Sequence, residues 1–156
     1  MMKFEDYLIT EAVGKKVHNL SGVILIYNNK ILLVRPKKFR RHSKKWSIPK
    51  GHIENKMTEL ETALHELKEE SRIKLKKKHL NGVEIVNINY IKSGINKRLT
   101  CYVVKVEKEE INVRLFNDMI LGNLLSGETV EAGFFTKEDA VDIIETQQME
   151  LLRFLE

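Results

Sequence analysis

The chain has 156 residues, 42% of them hydrophobic, which predicts one globular domain with a core of its own. Its longest apolar runs, at residues 23–27 and 31–34, are far shorter than the roughly 20 residues that cross a bilayer, so we expect no membrane association. The single cysteine, Cys101, and an N-terminus with acidic residues in place of an apolar signal predict a cytoplasmic protein without an intramolecular disulfide.

The net charge of +5 is unevenly distributed. Residues 35–50, RPKKFRRHSKKWSIPK, contain eight Lys or Arg residues and no acid, while the rest of the chain is mildly acidic. We call residues 35–50 the basic loop. It is either a local site for anions or a solvated lysine-rich surface.

The first elements follow from apolar spacing. Phe4, Leu8 and Ala12 recur at helical spacing and predict a short amphipathic helix over residues 3–12. Residues 17–27 and 30–34 are strand-like and are joined by Asn-Asn, which predicts a β-hairpin.

A capping-box signature marks the start of the next helix. Thr58 is followed three residues later by Glu61, so we expect a helix over residues 59–71. The face directed to the core carries Leu60, Ala63, Leu64 and Leu67.

Two further strands are predicted at residues 81–91 and 98–106, with Ser93-Gly94 in the turn. Residues 111–127 have no clear pattern. A strand at 131–136 and a C-terminal helix from Lys137, in one or two pieces, follow. Because strands and helices do not alternate, the fold class is α/β of the α+β type, a mixed sheet packed between helices, and not a doubly wound parallel sheet.

The predicted helix at residues 59–71 gathers Glu66, Glu69 and Glu70 within five residues. Glu66 and Glu70 are one helical turn apart, so their carboxylates can converge. The cost of such like-charge pairs is only about 0.2–0.5 kcal/mol each. Spacing alone therefore allows either an exposed acidic face or a site for a hard cation such as Mg²⁺.

The stretch from Gly51 to Ile73 resembles the Nudix (MutT-like) box, G-x5-E-x7-R-E-U-x-E-E-x-G-U, where U is aliphatic. The positions that match in register are Gly51, Glu66, Leu67, Glu69, Glu70 and Ile73. The flanking WSIPKGH is similar to dinucleoside polyphosphate and diphosphoinositol polyphosphate hydrolases of that family. The resemblance implies a Nudix-type mixed sheet between helices, with an extension at 1–15, a core at 17–145 and a C-terminal helical segment at 137–156 in one domain.

Three positions depart from the box. Met57 replaces its first glutamate, His65 its arginine and Arg72 its last glycine. The resemblance implies that Glu54 or Glu59 substitutes for the first glutamate and that His65 orients the catalytic glutamates only partly. Arg72 would then make a left-handed turn at some backbone cost.

The resemblance also implies a magnesium site, with manganese as the alternative. Glu66 and Glu70 would ligate the metal, Glu69 would be a further ligand or a hydrogen-bonding partner, and the Lys50 carbonyl beside Gly51 would complete the site. Glu128 and Glu131 are the candidates for a general base, and each is equally well explained as an ordinary surface acid.

The predicted substrate contacts are mostly cations of the basic loop, which would hold additional phosphates. They are Arg35, Lys37, Arg40, Arg41, Lys44, Lys45 and Lys50. Trp46 either touches the ligand or packs the loop. Tyr90 lies about where related dinucleotide enzymes have a base-stacking tyrosine, and it is also explained as a core residue, as is Cys101.

The function implied is a Mg²⁺-dependent pyrophosphohydrolase that cleaves a phosphoanhydride in a nucleoside diphosphate linked to a second group. Dinucleoside polyphosphates and nucleoside triphosphates are the preferred substrates, and an RNA 5′ end is the next. The alternatives are a non-catalytic nucleotide- or RNA-binding module and a structural protein with a solvated acidic helix. The protein is expected to be a monomer or a homodimer.

Overall fold

The computed structural model describes residues 16–54, 56–106, 125–127 and 130–156. The helix predicted at residues 3–12, most of the segment 111–127 and the candidate base Glu128 lie outside the described residues.

Within the described residues, seven strands form one mixed sheet. They are β1 (Val17–Tyr27), β2 (Lys30–Pro36), β3 (Lys50–His52), β4 (Ile85–Lys92), β5 (Ile95–Lys105), β6 (Leu125–Ser126) and β7 (Val130–Phe135). Their order is β4-β5-β1-β2-β7-β6, and β3 pairs with β1. β1 and β5 are parallel, and the other paired strands are antiparallel.

The helices cover both faces of the sheet. The described helices are α1 (Glu59–Ser71), α2 (Lys77–Leu80), α3 (Lys137–Ile143) and a 3-10 helix at Thr146–Phe154. Residues of α1 and α2 pack on one face, whereas α3 and the 3-10 helix pack on the other. None of the helices in the described part of the chain is long and apolar enough to span a membrane.

The buried part of β1 explains why its sequence is a continuous apolar run. Alternate residues of a strand point to opposite faces of a sheet. Val23 and Leu25 therefore join the core under α1, while Ile24 and Ile26 join the core under the C-terminal helices. A central strand covered on both faces has no polar side, so the run lacks the alternation of a half-exposed strand.

The structure confirms the α+β architecture and both predicted turns. Asn28 and Asn29 have φ of 53° and 55°, as a two-residue hairpin of the I′ kind requires, and Ser93-Gly94 turns in the same way. The strand predicted from residue 81 begins at Ile85, because the short helix α2 and a turn at Gly82, with φ of 76°, precede it. The C-terminal helix is in two pieces, and the second piece is a 3-10 helix.

Candidate active site

The helix α1 carries the three glutamates. Its first turn is closed by the predicted capping box: the Thr58 hydroxyl accepts the Glu61 N–H at 3.1 Å, and the Glu61 carboxylate accepts the Thr58 N–H at 2.9 Å. Ala63 and Leu67 are fully buried against the sheet. This orientation leaves the carboxylates at the margin of the buried face.

Glu70 is tied to the backbone just before the box glycine. Its Oε1 accepts the N–H of Lys50 at 2.9 Å. Burial raises the pKa of Glu70 to about 7, and the charge of Glu66 adds to that rise. Burial thus disfavours the charged form of Glu70 unless a cation compensates it.

Glu66 lies against Gly51. A Cβ on Gly51 would collide with the Glu66 carboxyl group, so only glycine allows the backbone to approach this closely. Burial is the first cause that raises the pKa of Glu66; Glu69 and Glu54 also raise it, and the exposed His65 opposes them. Glu54 is one of the two residues expected to substitute for the first glutamate of the Nudix box, and its charge acts on Glu66.

A second glycine lets β3 enter this position. Lys50 and Gly51 pair with Gly22 and Ser21 of β1. A Cβ on Gly22 would collide with the Pro49 carbonyl oxygen and lie 2.9 Å from Lys50 Cβ. The two glycines allow a three-residue strand to fit between β1 and α1, where it meets both carboxylates.

The donor set fits a hard cation in part. Among the described residues, no group of three or more His, Cys, Asp or Glu is arranged to hold a metal ion, and Glu69 is exposed. Mg²⁺ is usually bound by one or two carboxylates, with water and substrate phosphates in its other positions. Glu66 and Glu70 supply those two carboxylates, and their raised pKa values mark oxygens that a cation would stabilise in charged form.

A row of cationic and aromatic side chains crosses the sheet on the face opposite α1, which the C-terminal helices cover. In the strand register His18 of β1 neighbours Lys97 of β5, which in turn neighbours Tyr90 of β4. We call His18, Lys97 and Tyr90 the sheet row. Burial lowers the pKa of Lys97, and the charges of Lys50 and Lys92 lower it further, whereas the charge of Glu145 opposes them.

His52 joins the sheet row from β3. Its ring packs edge-to-face on His18 with centroids 5.8 Å apart. Burial lowers the pKa of His52, with further contributions from Lys97, His18 and Lys50. Sequence reasoning missed Lys92, Lys97 and both histidines. The alternation of β5 could have revealed Lys97, because it lies on the same strand face as Leu99 and Cys101, which point into the core.

A model of the NUDIX domain matches residues 17–154. The chain belongs to this family. As a member of it, the protein is a Nudix hydrolase, an enzyme that acts on phosphoanhydride bonds.

Solved structures with the same fold include several Nudix proteins. An Ap4A hydrolase from C. elegans, in a binary complex, is 21% identical with a TM-score of 0.60, covering 87% of this chain and 93% of its own. A MutT NUDIX hydrolase from Burkholderia pseudomallei is 16% identical with a TM-score of 0.63, covering 89% and 98%.

The fold also matches part of a bifunctional NMN adenylyltransferase/ADP ribose pyrophosphatase from Francisella tularensis, in complex with AMP and a Mn ion. It is 16% identical with a TM-score of 0.62, and covers 96% of this chain and 44% of that one. At these identities the likeness establishes the fold. No curated protein matches the chain.

The basic loop buries two of its predicted contact residues. Arg35 is buried, and its guanidinium donates to Glu131 and to the Phe39 carbonyl. Trp46 is 1% exposed, packs on Phe135 with ring centroids 4.8 Å apart, and donates its indole N–H to the Arg41 carbonyl. Arg35 and Trp46 hold the loop in place, which agrees with the packing alternative for Trp46, and their contact with substrate stays a prediction.

The remaining loop cations are more accessible. The Arg41 side chain is 68% exposed although its guanidinium donates to Glu131 at 2.5 and 2.9 Å. Lys44 donates to the Val141 carbonyl at 3.2 Å. Lys37, Arg40 and Lys45 are exposed, and their role in substrate binding stays a prediction.

Glu131 is poorly suited to act as the general base of a Nudix hydrolase. Its side chain is 3% exposed and accepts hydrogen bonds from Arg35 and Arg41. The Arg41 hydrogen bond is the main cause that holds the pKa of Glu131 below its ordinary value. A carboxylate stabilised in this way is a weaker base than an ordinary one and has a structural role, and its role as general base stays a prediction.

The last departure from the Nudix box has a visible backbone consequence. Arg72 has φ of 64°, in the left-handed region, and donates its N–H to the Lys68 carbonyl at 2.8 Å. Glycine adopts this conformation without strain, whereas a side chain costs roughly 1–2 kcal/mol. The Ser71 hydroxyl accepts the Ile73 N–H at 3.2 Å, which helps to hold the turn.

Proposed function

We propose that this Nudix hydrolase is Mg²⁺-dependent, with Mn²⁺ as the alternative, and cleaves a phosphoanhydride in a nucleoside diphosphate linked to a second group. The preferred substrates are dinucleoside polyphosphates and nucleoside triphosphates. The observation that carries the proposal is the meeting of Glu66 and Glu70 with the Lys50–Gly51 backbone, next to the lysines of the sheet.

Glu66 and Glu70 would hold the metal, together with the carbonyl predicted at Lys50. When bound, Mg²⁺ neutralises charge on phosphoryl oxygens and lowers the pKa of a bound water. The Lys50 N–H keeps the Glu70 carboxylate in one orientation, and Gly51 leaves the space that the Glu66 side chain occupies. The candidates for the general base remain Glu128 and Glu131.

Lys50 and Lys97 support a substrate with a long phosphate chain. Burial and then the charge of Lys50 lower the pKa of Lys97, so these two ammonium groups repel each other. A long chain of phosphates could contact these lysines and the metal-binding carboxylates at once and so relieve the repulsion. A diphosphate bound at the carboxylates would contact fewer lysines. The fold shared with the C. elegans Ap4A hydrolase agrees with this preference.

A substrate panel tests the proposal. The full chain is incubated with Ap4A, the four nucleoside triphosphates and ADP-ribose, with Mg²⁺ or with a chelator, and the products are separated by ion-exchange chromatography. We expect turnover only with the metal, and fastest on Ap4A or a triphosphate. Glu70→Gln removes a charged metal ligand and should lower kcat by about 100-fold or more.

Glu84→Gln is the matched control, because Glu84 is exposed and lies before β4, outside the site. It should retain the wild-type rate. Wild-type turnover in Glu70→Gln, or turnover that persists after exhaustive chelation, would contradict the assigned role of the carboxylates.

A further inference from the structure

Beyond the lysines near Glu70, the sheet face carries an ion pair that hydrolysis itself does not require. The Lys92 ammonium lies 3.0 Å from Glu145 Oε1, and the Gln147 side-chain amide donates to the same oxygen at 2.8 Å. The Glu145 side chain is 10% exposed, whereas that of Lys92 is 44% exposed. A carboxylate so nearly buried, facing a half-exposed lysine, places an acceptor and a donor side by side at the surface of the site.

The backbone fixes Glu145 in this position. Its N–H donates to the Trp46 carbonyl at 2.8 Å, and the preceding residue, Ile144, is buried and bridges to Trp46. The side chain therefore projects from an anchored segment and needs little ordering when a ligand arrives.

Tyr90 supplies a flat surface next to the pair. It lies two residues before Lys92 on β4, hence on the same face, and packs against the core while remaining partly accessible. Burial, followed by the charge of Glu145, raises the pKa of Tyr90 to about 12. An aromatic ring of this kind stacks on any nucleobase, so it supplies affinity without selecting a base.

Lys92 and Glu145 can select one nucleobase over the others. A nucleobase bound here would meet a cationic donor beside an anionic acceptor 3.0 Å away. Guanine can form the most hydrogen bonds with this ion pair. Its O6 accepts from the Lys92 ammonium, and the adjacent N1–H and 2-amino group donate to the Glu145 carboxylate. Adenine offers one amino donor on its edge, and hypoxanthine keeps O6 and N1–H but lacks the 2-amino group.

We infer that Lys92 and Glu145, with Tyr90 as the stacking surface, form a guanine-binding pocket at the end of the phosphate path. The inference rests on the proposed function, because it places the base of a nucleotide whose phosphates extend past Lys97 toward Glu70. Lys92 donates to O6, and Glu145 accepts from N1–H and the 2-amino group.

Nucleoside monophosphates test the pocket separately from hydrolysis, since they contain no phosphoanhydride. Dissociation constants of the full chain for GMP, IMP, AMP, CMP and UMP are measured by isothermal titration calorimetry. We expect GMP to bind about tenfold or more tightly than IMP, because the 2-amino contact is lost in IMP. AMP and the pyrimidine nucleotides should bind more weakly than GMP.

Two substitutions separate the roles of the pair. Glu145→Gln replaces one acceptor oxygen with a donor, so the GMP-to-IMP preference should fall toward one. Lys92→Met removes the donor to O6, which both ligands share, so it should weaken both about equally and leave their ratio unchanged. Glu150→Gln is the control, since Glu150 is exposed and paired with Arg153 on the same C-terminal segment.

Equal binding of GMP and IMP to the wild-type chain would overturn the inference, and this result does not depend on whether any variant folds. An unchanged ratio in a folded Glu145→Gln protein would overturn it as well. An absence of turnover on the substrate panel combined with GMP-selective binding would instead reject the proposed hydrolysis and retain the pocket.

Discussion

Glu66 and Glu70 both contact the Lys50–Gly51 backbone, each through a different interaction. Glu70 accepts an N–H bond from Lys50, and Glu66 fills the space that Gly51 leaves by having no side chain. Burial raises the pKa of both carboxyl groups. At this scale the chemistry depends on how the two charges are compensated, and the charges of His65 and Lys50 do so for Glu66.

His65 provides the first prediction. It is exposed, and its positive form lowers the pKa of the adjacent Glu66. Arginine is charged at all working pH values, so His65→Arg places a permanent positive charge beside Glu66 and should raise kcat several-fold. Initial rates at pH 6 and pH 8 on the best panel substrate measure this. A lower rate in the variant would show that the imidazole has a role of its own.

Lys97 tests the length of the phosphate chain. Lys97→Met keeps the aliphatic stem and removes the ammonium group on which the charge of Lys50 acts. We expect KM for Ap4A to rise about tenfold and KM for ADP-ribose to change much less, because a shorter chain reaches fewer lysines. Lys30→Met on β2 is the control. Equal changes for the two substrates would reject the phosphate path.

At the scale of elements, local signals predicted α1 and the β1–β2 hairpin well. The capping box and the Asn-Asn turn are short-range chemistry, and both are observed. The start of β4 was predicted four residues early, because α2 and the Gly82 turn interrupt the strand pattern. The substrate contacts of the basic loop were predicted from charge alone, and charge does not distinguish a buried structural arginine from an exposed one.

The ion pair between β2 and β7 gives a pH-dependent prediction. Arg35 and Glu131 are direct cross-strand partners, and the folded-state pKa of Glu131 lies below its unfolded value. The stability that this pair contributes is therefore present above the ordinary carboxyl pKa, and is lost as the pH falls through that value toward the folded one. Urea unfolding of the wild-type chain from pH 7 to pH 3 should show this loss.

Glu131→Gln should lower the free energy of unfolding at pH 7 by about 3 kcal/mol, because it leaves the buried Arg35 without its charged partner. It should also reduce the acid-dependent slope. Glu150→Gln breaks an exposed pair with Arg153 and should change stability by less than about 1 kcal/mol. An unchanged slope in Glu131→Gln would assign the acid sensitivity to other carboxylates.

At the scale of the whole molecule, the site joins segments that are distant in sequence. β1 and β5 run in parallel through ten paired positions, which brings His18 beside Lys97, and the C-terminal segment returns to place Glu145 at Lys92. The carboxylates of α1 meet this face only through the short strand β3. A ligand that binds Glu66 and Glu70 should therefore stabilise the entire fold.

Metal binding should be visible in thermal unfolding. At a Mg²⁺ concentration tenfold above its dissociation constant, mass action adds about 1.4 kcal/mol, which raises Tm by roughly 4 °C for a chain of this length. Differential scanning calorimetry with MgCl₂, and with NaCl at matched ionic strength, measures the shift. Glu70→Gln should lose it. An equal shift with NaCl would indicate general screening in place of a site.

The sequence by itself determined the family, the position of α1, its capping and the register of Gly51 with Glu66 and Glu70. These features depend on helical periodicity and on neighbours within about 20 residues, so they can be read along the chain. Only the tertiary structure decided which charged residues share the sheet face with His52. Lys97, Lys92 and Glu145 reach this face through strand pairing and chain reversal, whereas Arg35 and Trp46 are turned inward. Burial and long-range pairing depend on the whole fold, and residue type alone does not encode them.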